Sequence, residues 1–203
     1  YSDVGAFVED QLHHSYLYSA RKCPCVGSRF MSSVMFEFSR SMFSAYRDVP
    51  KFLLTVHDEA HDTFGNQVLM LDPDLTQYLR HLNESGALDH TGVIIMGDHG
   101  LHYGWLFREP RYTEQAELEH GRVFGTFILP KRMVTEQLKE NMKRMVNIRD
   151  IHMTIRDMAS FPVRSTADAV SPIARSLLHD TISPDRTCEE MMVNRQYRAS
   201  CTK

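Results

Sequence analysis

The sequence lacks the features that define several functional classes. No apolar run approaches the roughly 20 residues that a helix needs to cross a bilayer, and the 203 residues contain no internal repeat or low-complexity tract. A basic excess is also missing, because 23 Lys and Arg stand against 26 Asp and Glu, for a formal net charge of −3. Nucleic-acid binders use positive charge to displace phosphate counterions. The charge balance therefore excludes a nucleic-acid partner bound through bulk charge.

Histidine, by contrast, is abundant. The 11 His are about twice the usual share, and imidazole is the commonest transition-metal ligand in proteins. The four Cys permit disulfides without requiring them. Cys23 and Cys25 have no second cysteine pair nearby, so a disulfide or a buried thiol is favoured over a zinc site. Cys188 and Cys201 lie in a polar stretch that is not expected to bury a free thiol, so we expect both to be oxidised.

Hydrophobic periodicity predicts alternating strands and helices. Apolar residues recurring every three or four positions predict helices over residues 28–46, 72–86, 134–146 and 148–159. In the first of these, Phe30, Val34, Phe38 and Met42 form the expected buried stripe and Ser28 the expected N-cap. Asp72 and Pro73 resemble the start of the second helix, and Gly86 its end.

Short apolar, β-favouring runs predict buried strands over residues 52–56, 92–96 and 123–129. Strands and helices in this order favour an α/β fold, with a mostly parallel sheet and helices on both of its faces. The sheet is expected to be incomplete at the N-terminus. We expect one domain over residues 1–160, followed over 161–203 by a loosely packed polar tail that contains cysteine.

Polar side chains follow two of the predicted strands. His57 and His61 come after the strand over 52–56, and Asp98 and His99 come after the strand over 92–96. Ligands of open α/β sheets bind beyond the carboxyl ends of the strands, so these residues are expected to converge. Imidazole with carboxylate favours zinc, manganese or iron over a pure calcium or magnesium site.

Each of these residues also has a simpler explanation when it is taken alone. Asp98 could cap the turn after its strand, and His57 and His61 could lie on a solvated helix start. His102 and His120 are individually more typical of structural or exposed histidines than of ligands. The coincidence of two His/Asp clusters at two strand ends favours a metal site.

Residues 51–104, through KFLLTVHDEAHD and GALDHTGVIIMGDHGLHYG, resemble the carboxyl-terminal half of an alkaline phosphatase/sulfatase superfamily domain. They look most similar to a sulfatase-like animal family of uncharacterised substrate. In that superfamily a strand followed by (Ser/Gly)-Asp-His-Gly supplies metal ligands, which implies this role for Asp98 and His99. Metal-binding Asp and His, four residues apart, align with His57 and His61, and sulfatases place a substrate-binding His at the position of His61.

The resemblance covers most of the chain, including Cys25–Arg29, Asp150–Thr154 and Arg186–Cys188. It implies a last ligand or a substrate contact at Glu119 or His120. Asp58, His102, Glu119 and His120 are the expected contacts to substrate or to the ligating residues. Asp58, Glu59 and Asp62 are carboxylates that could meet the nitrogens of His57 and His61 that do not bind metal.

The resemblance implies a metal-dependent hydrolase or transferase acting on phosphate or sulfate esters. Zinc or manganese is the favoured ion, with calcium or magnesium as alternatives. Residues 23–27 lack the Cys-x-Pro-x-Arg pattern of formylglycine sites. We therefore expect a fragment that is inactive alone, with the catalytic nucleophile upstream of residue 1. The resemblance also implies the secretory-pathway lumen, the cell surface or the extracellular space, with a membrane anchor upstream.

Two other interpretations remain open at this point. A non-catalytic lumenal or extracellular binding protein could keep the same fold, since His57 stands where the superfamily usually has Asp. A helical His-Asp phosphohydrolase would use His57 and Asp58 as its metal-binding doublet. That fold holds its ligands on helices, whereas the segments over 52–56 and 93–96 are predicted strands. The sequence carries no signal for an oligomeric state.

Overall fold

The computed structural model of the protein describes residues 25–60, 68–100, 118–165 and 172–193. The chain divides into two compact units, Tyr1–Glu84 (unit 1) and Ser85–Lys203 (unit 2). Among the described helices, none is both long and apolar enough to cross a membrane. Cys25 and Cys188 are both disulfide-bonded, while Cys23 and Cys201 lie outside the described residues.

The described residues of unit 1 form a short hairpin and two helices. The elements in chain order are β1 (Cys25–Val26), β2 (Arg29–Phe30), α1 (Met31–Ala45), a 3-10 turn (Asp58–Ala60) and α2 (Val68–Glu84). The two-residue hairpin turn needs a left-handed backbone, which Gly27 supplies with a φ of 60°. Ser28 belongs to this turn and does not cap α1, whose N-cap is Phe30. The helix predicted over 28–46 is thus confirmed, with a later start.

The buried face of α1 is not the predicted one. Met31, Ser32, Phe36 and Ser39 are buried, whereas Phe38 is 51% exposed. Polar contacts explain the difference, because the hydroxyls of Ser32 and Ser33 donate to Asp74 of α2 at 2.6 and 2.7 Å. Those bonds turn the serine face of α1 toward α2. In the predicted apolar stripe, Phe30 and Phe38 are exposed, whereas Val34 and Met42 are half-buried.

Residues 52–56 do not pair into a sheet within the described part of the chain. Their side chains nevertheless alternate as strand side chains do, with Phe52, Leu54 and Val56 exposed by 68, 73 and 71% and Leu53 and Thr55 half-buried. No backbone–backbone hydrogen bond joins this segment to another described residue. The predicted buried strand is therefore not formed with any described residue, although the strand-like alternation is present.

In the described part of unit 2 there are one antiparallel strand pair and two helices. The elements are a 3-10 turn (Ala87–Asp89), β3 (Val93–Met96), β4 (Gly125–Ile128), a 3-10 turn (Lys131–Met133), α3 (Glu136–Asn141) and α4 (Ile148–Ser160). β3 and β4 pair antiparallel, with Val93 opposite Ile128. The mixed α/β class is confirmed, but both sheets among the described residues are two-stranded and antiparallel. Strand direction is set by pairing between distant residues, which local periodicity does not encode.

The C-terminal stretch forms much of the core of unit 2. Leu177, Leu178 and Ile182 are at most 4% exposed and pack with Met133 and Leu138. Met191, farther along, is 1% exposed. The predicted loose tail is therefore wrong for residues 172–193. The sequence is polar on average, but Ala174, Leu177, Leu178, Ile182 and Met191 are buried, and Met192 is the large apolar side chain of this stretch that stays exposed.

Buried polar side chains hold this stretch in place. Asn141 of α3 donates to the carbonyls of Leu177 and Asp180 at 2.9 and 2.7 Å, and it accepts from the backbone N–H of Ile182 at 3.1 Å. The hydroxyl of Thr154 accepts from the N–H of Leu177 at 2.9 Å. Irregular backbone is buried here because side chains replace the hydrogen bonds that a helix or sheet would make.

Candidate metal centre

The candidate site residues fall into two groups. His57 and Asp58 belong to unit 1, and Asp98, His99, Glu119 and His120 belong to unit 2. His61 and His102 lie outside the described residues. Within the described ranges, no group of three His, Cys, Asp or Glu side chains is arranged to hold a metal ion. Each group therefore has its own geometry.

The first group is a histidine–carboxylate pair in the core of unit 1. The ring of His57 stacks on Phe36 with centroids 4.8 Å apart, and Phe36 stacks on Tyr78 at 5.0 Å. The 3-10 turn over Asp58–Ala60 directs the Glu59 side chain inward, where it is 2% exposed. Nδ1 of His57 is 3.6 Å from Oε2 of Glu59. Asp58, the neighbouring carboxylate, is exposed.

Three polar atoms of this pair are buried and have no hydrogen-bond partner among the described residues. They are Nδ1 and Nε2 of His57 and Oε1 of Glu59. Buried polar atoms nearly always have a partner, and leaving one unpaired costs about 1–3 kcal/mol, or more for a charged group. A cation bound to one nitrogen of His57 would satisfy that imidazole lone pair, and its positive charge would offset the charge of the buried carboxylate beside it. An imidazole ligand with a carboxylate neighbour suits zinc or manganese.

Tyr78 lies at the far end of the aromatic stack and is 8% exposed. Burial raises the pKa of Tyr78 above its ordinary value of 10, while a hydrogen bond with Ser39 and the positive charge of Arg40 lower it in part. The neutral phenol is therefore the form that the core favours. Sequence reasoning missed this stack, since Phe36 and Tyr78 carry no signal that distinguishes them from other core aromatic residues.

The second group surrounds the turn after β3. Asp98 Oδ1 accepts from the backbone N–H of His99 at 2.9 Å, and the Asp98 side chain is 88% exposed. The simpler role considered for Asp98, capping its own turn, is thus present in the structure. Oδ2 of Asp98 is 3.5 Å from Nε2 of His99.

Gly100 brings two histidines together. Its carbonyl lies 2.8 Å from Nδ1 of His99 and 3.3 Å from Nδ1 of His120, and the two rings are 5.2 Å apart. If each ring donates from Nδ1, its lone pair is on Nε2, the atom that would bind metal. The backbones also touch, because the N–H of Gly100 donates to the carbonyl of His120 at 3.0 Å. A Cβ at this position would lie 2.0 Å from the carbonyl oxygen of Glu119.

The structure thus brings His99 and His120 together and leaves Glu119 exposed beside them. It pairs His57 with the buried Glu59, whereas Asp58 is exposed and Asp62 lies outside the described residues. Convergence of the two groups stays a prediction.

Comparison with known proteins gives one match. A family model described as a protein of unknown function (DUF229) matches residues 6–203. No curated protein matches the chain, and no solved structure matches it either.

Proposed function

The chain belongs to the DUF229 family, and from that premise we propose that it is part of a metal-dependent hydrolase or transferase acting on phosphate or sulfate esters. The sequence resemblance to the alkaline phosphatase/sulfatase superfamily supports this activity. We assign metal ligands to this chain and no nucleophile. Further support comes from the chemistry of the two groups of site residues.

The observation that carries the proposal is the buried pair of His57 and Glu59 with its three unpartnered atoms. Stability alone gives no reason to bury a carboxylate oxygen without a hydrogen-bond donor. The proposed ligands are His57, His61, Asp98 and His99, with zinc or manganese favoured. Glu59 would hold the imidazole of His57 in its binding orientation, as carboxylates do beside ligating histidines. A divalent ion in such a site supplies positive charge to the ester oxygens.

The residues around the ligands have separate roles in this proposal. The proposal assigns contacts with the ester, or with the ligands, to Asp58, His102, Glu119 and His120. His120 can donate a hydrogen bond from Nδ1 to the Gly100 carbonyl, which fixes its ring relative to that of His99. We further propose that residues 52–56 form a strand of a larger, mostly parallel sheet with helices on both faces. The alternating exposure of their side chains supports this assignment.

We propose the secretory-pathway lumen, the cell surface or the extracellular space as the location. The disulfide-bonded state of Cys25 and Cys188 supports an oxidising compartment.

The test is metal content in the complete protein. His57→Ala should lower stoichiometric zinc or manganese by at least tenfold, measured by mass spectrometry of the purified protein, because it removes a proposed ligand. His90→Ala is the matched control, since His90 is an exposed histidine outside the site, and it should keep the metal. Equal metal content in both variants would contradict the assignment of His57.

A second candidate function is a non-catalytic lumenal or extracellular binding protein with the same fold. The exposed carboxylate of Asp98, which already accepts from the backbone of His99, favours it. The same measurement separates the two, because only the enzyme needs a stoichiometric metal. A complete protein that purifies without metal, and does not take up added zinc or manganese, is the outcome expected for the binding protein.

A further inference from the structure

The last turn of α2 carries an acceptor sequence for asparagine-linked glycosylation. Asn83-Glu84-Ser85 is the only Asn-x-Ser/Thr sequence in the chain, and its middle residue is not proline. Such sequences are modified only when the asparagine lies on the surface of a protein that enters the secretory pathway. The structure shows whether Asn83 lies on the surface, and the bonding state of the cysteines indicates the compartment.

Asn83 lies on the solvent face of its helix. Thr76 and Arg80, seven and three residues earlier, are exposed like Asn83 itself, as helical periodicity requires of one face. The opposite face is buried through Tyr78 and Leu82. The Asn83 side chain makes no hydrogen bond to the described residues. A glycan attached there would extend into solvent without displacing packed side chains.

The backbone at this position also suits the modification. The transferase acts on a chain segment that can leave regular structure, and helix ends fray. α2 ends at Glu84, and Gly86 turns the chain with a left-handed φ of 73°. The acceptor sequence therefore spans the end of the helix and the start of a turn, with Ser85 exposed.

The state of the cysteines gives an independent argument. Cys25 and Cys188 are disulfide-bonded, and disulfides persist in the same compartments through which glycoproteins pass.

We propose that Asn83 is N-glycosylated. In the reaction, Nδ2 of Asn83 forms a bond to the anomeric carbon of an oligosaccharide carried on a lipid pyrophosphate. The bond between that carbon and the pyrophosphate oxygen breaks, and the lipid pyrophosphate leaves with the electron pair. One amide proton passes to a base of the transferase. This modification is independent of whether the complete protein is an enzyme.

The experiment uses the complete protein isolated from its own source or secreted from animal cells. Peptide-N-glycosidase in heavy-oxygen water converts a glycosylated asparagine to labelled aspartate, which mass spectrometry locates in the peptide that begins at His81. We expect the label on Asn83. Asn83→Gln and Ser85→Ala should both abolish the enzyme-sensitive mobility shift on a gel, whereas Ser85→Thr should keep it because threonine also completes the acceptor sequence.

Unlabelled Asn83 overturns the proposal. Alkylation of the same sample without reductant then identifies the error. A protected Cys188 would mean that the compartment is oxidising and that the site itself is not accepted. A reactive Cys188 would mean that the protein does not pass through that compartment. Loss of the mobility shift in Ser85→Thr as well as in Ser85→Ala would likewise contradict the assignment, because modification at Asn83 tolerates threonine.

Discussion

Each unit buries a carboxylate, and the surroundings of the two carboxylates differ. In unit 2, Asp150 is fully buried and accepts from two guanidinium nitrogens of Arg186 and from the backbone N–H groups of Asn147 and Arg175, at 2.7–3.0 Å. In unit 1, Glu59 is as deeply buried, with His57 at 3.6 Å and one oxygen unpartnered. The comparison separates two uses of buried charge. Asp150 stabilises a fold, whereas Glu59, whose Oε1 has no hydrogen-bond donor among the described residues, has the role in a metal site that is proposed above.

Unit 2 is not free of unpartnered atoms. Oδ2 of Asp157 and Nε2 of His179 are buried without a partner, but Oδ1 of Asp157 accepts from the backbone N–H of Ser165 at 2.9 Å. The carboxylate of Asp157 is therefore partly satisfied. The pair in unit 1 differs because a histidine and a carboxylate are unpartnered side by side.

The largest effect is expected at Asp150. Asp150→Ala removes the N-terminal capping box of α4 and leaves the buried Arg186 guanidinium without its carboxylate. We expect the free energy of unfolding to fall by about 3–5 kcal/mol, the cost of breaking a buried ion pair. Urea denaturation followed by far-ultraviolet circular dichroism measures it. Arg164→Ala is the control, because its ion pair with Asp180 is half exposed and should contribute at most about 1 kcal/mol. Equal losses in both variants would contradict a stabilising role for Asp150.

A slightly smaller effect is expected at Leu177. This side chain has no exposed area, so Leu177→Ala should lower the free energy of unfolding by about 3 kcal/mol through lost burial and the cavity left behind. Ile148→Ala, at a side chain that is 60% exposed, should change it by at most about 0.5 kcal/mol. The same urea denaturation compares the two. If Leu177→Ala were as mild as Ile148→Ala, residues 172–193 would be loosely packed after all.

Glu59→Gln should have opposite effects on stability and on binding. The change neutralises an unsatisfied buried carboxylate, so metal-free protein should gain about 1 kcal/mol in free energy of unfolding. Zinc affinity, measured by calorimetry on the complete protein, should fall about 10–100-fold because His57 loses its orienting carboxylate. Glu84→Gln, at an exposed position of the same unit, is the control. A loss of stability with unchanged zinc affinity would mean that Glu59 stabilises the fold, as Asp150 does.

The smallest effect is the pH dependence that Tyr78 gives to unit 1. The raised pKa of Tyr78 means that its contribution to stability is fully present below the unfolded value of 10 and is lost as pH rises toward the folded value. Tyr78→Phe keeps the stack on Phe36 but cannot ionise. The variant should therefore lose less stability than the native protein between about pH 8 and pH 11, measured by urea denaturation. Parallel losses in both proteins would show that another group titrates.

Local patterns predicted most of the elements. The helix over 148–159 and the strand over 92–96 are present as Ile148–Ser160 and Val93–Met96, because periodicity and turn residues act within a few positions. The start of α2 was missed, since α2 continues through Pro73 and begins at Val68. The first turn there is exposed, with Leu69 69% exposed, so the carbonyl that Pro73 cannot bond to remains open to water.

The site was predictable in residue type more than in arrangement. The Gly-Asp-His-Gly motif predicts that His99 lies at the turn of Gly100. The contact of Gly100 with His120 joins residues 20 positions apart, and no short sequence pattern predicts such a contact. Whether Glu59 or Asp58 lies beside His57 also depends on tertiary packing, because adjacent residues in a 3-10 turn point in different directions. The antiparallel pairing of β3 with β4 was missed for the same reason.

The contact at Gly100 has a consequence for natural variation. Every amino acid other than glycine has a Cβ, and a Cβ here would meet the backbone of Glu119 rather than a side chain that can swing aside. Any missense change in this codon, even to alanine, should therefore separate the two histidine-bearing segments. In a survey of alleles, this codon should tolerate synonymous changes only, whereas the codon of Gly125, where a Cβ would meet nothing within 4 Å, should be free to drift.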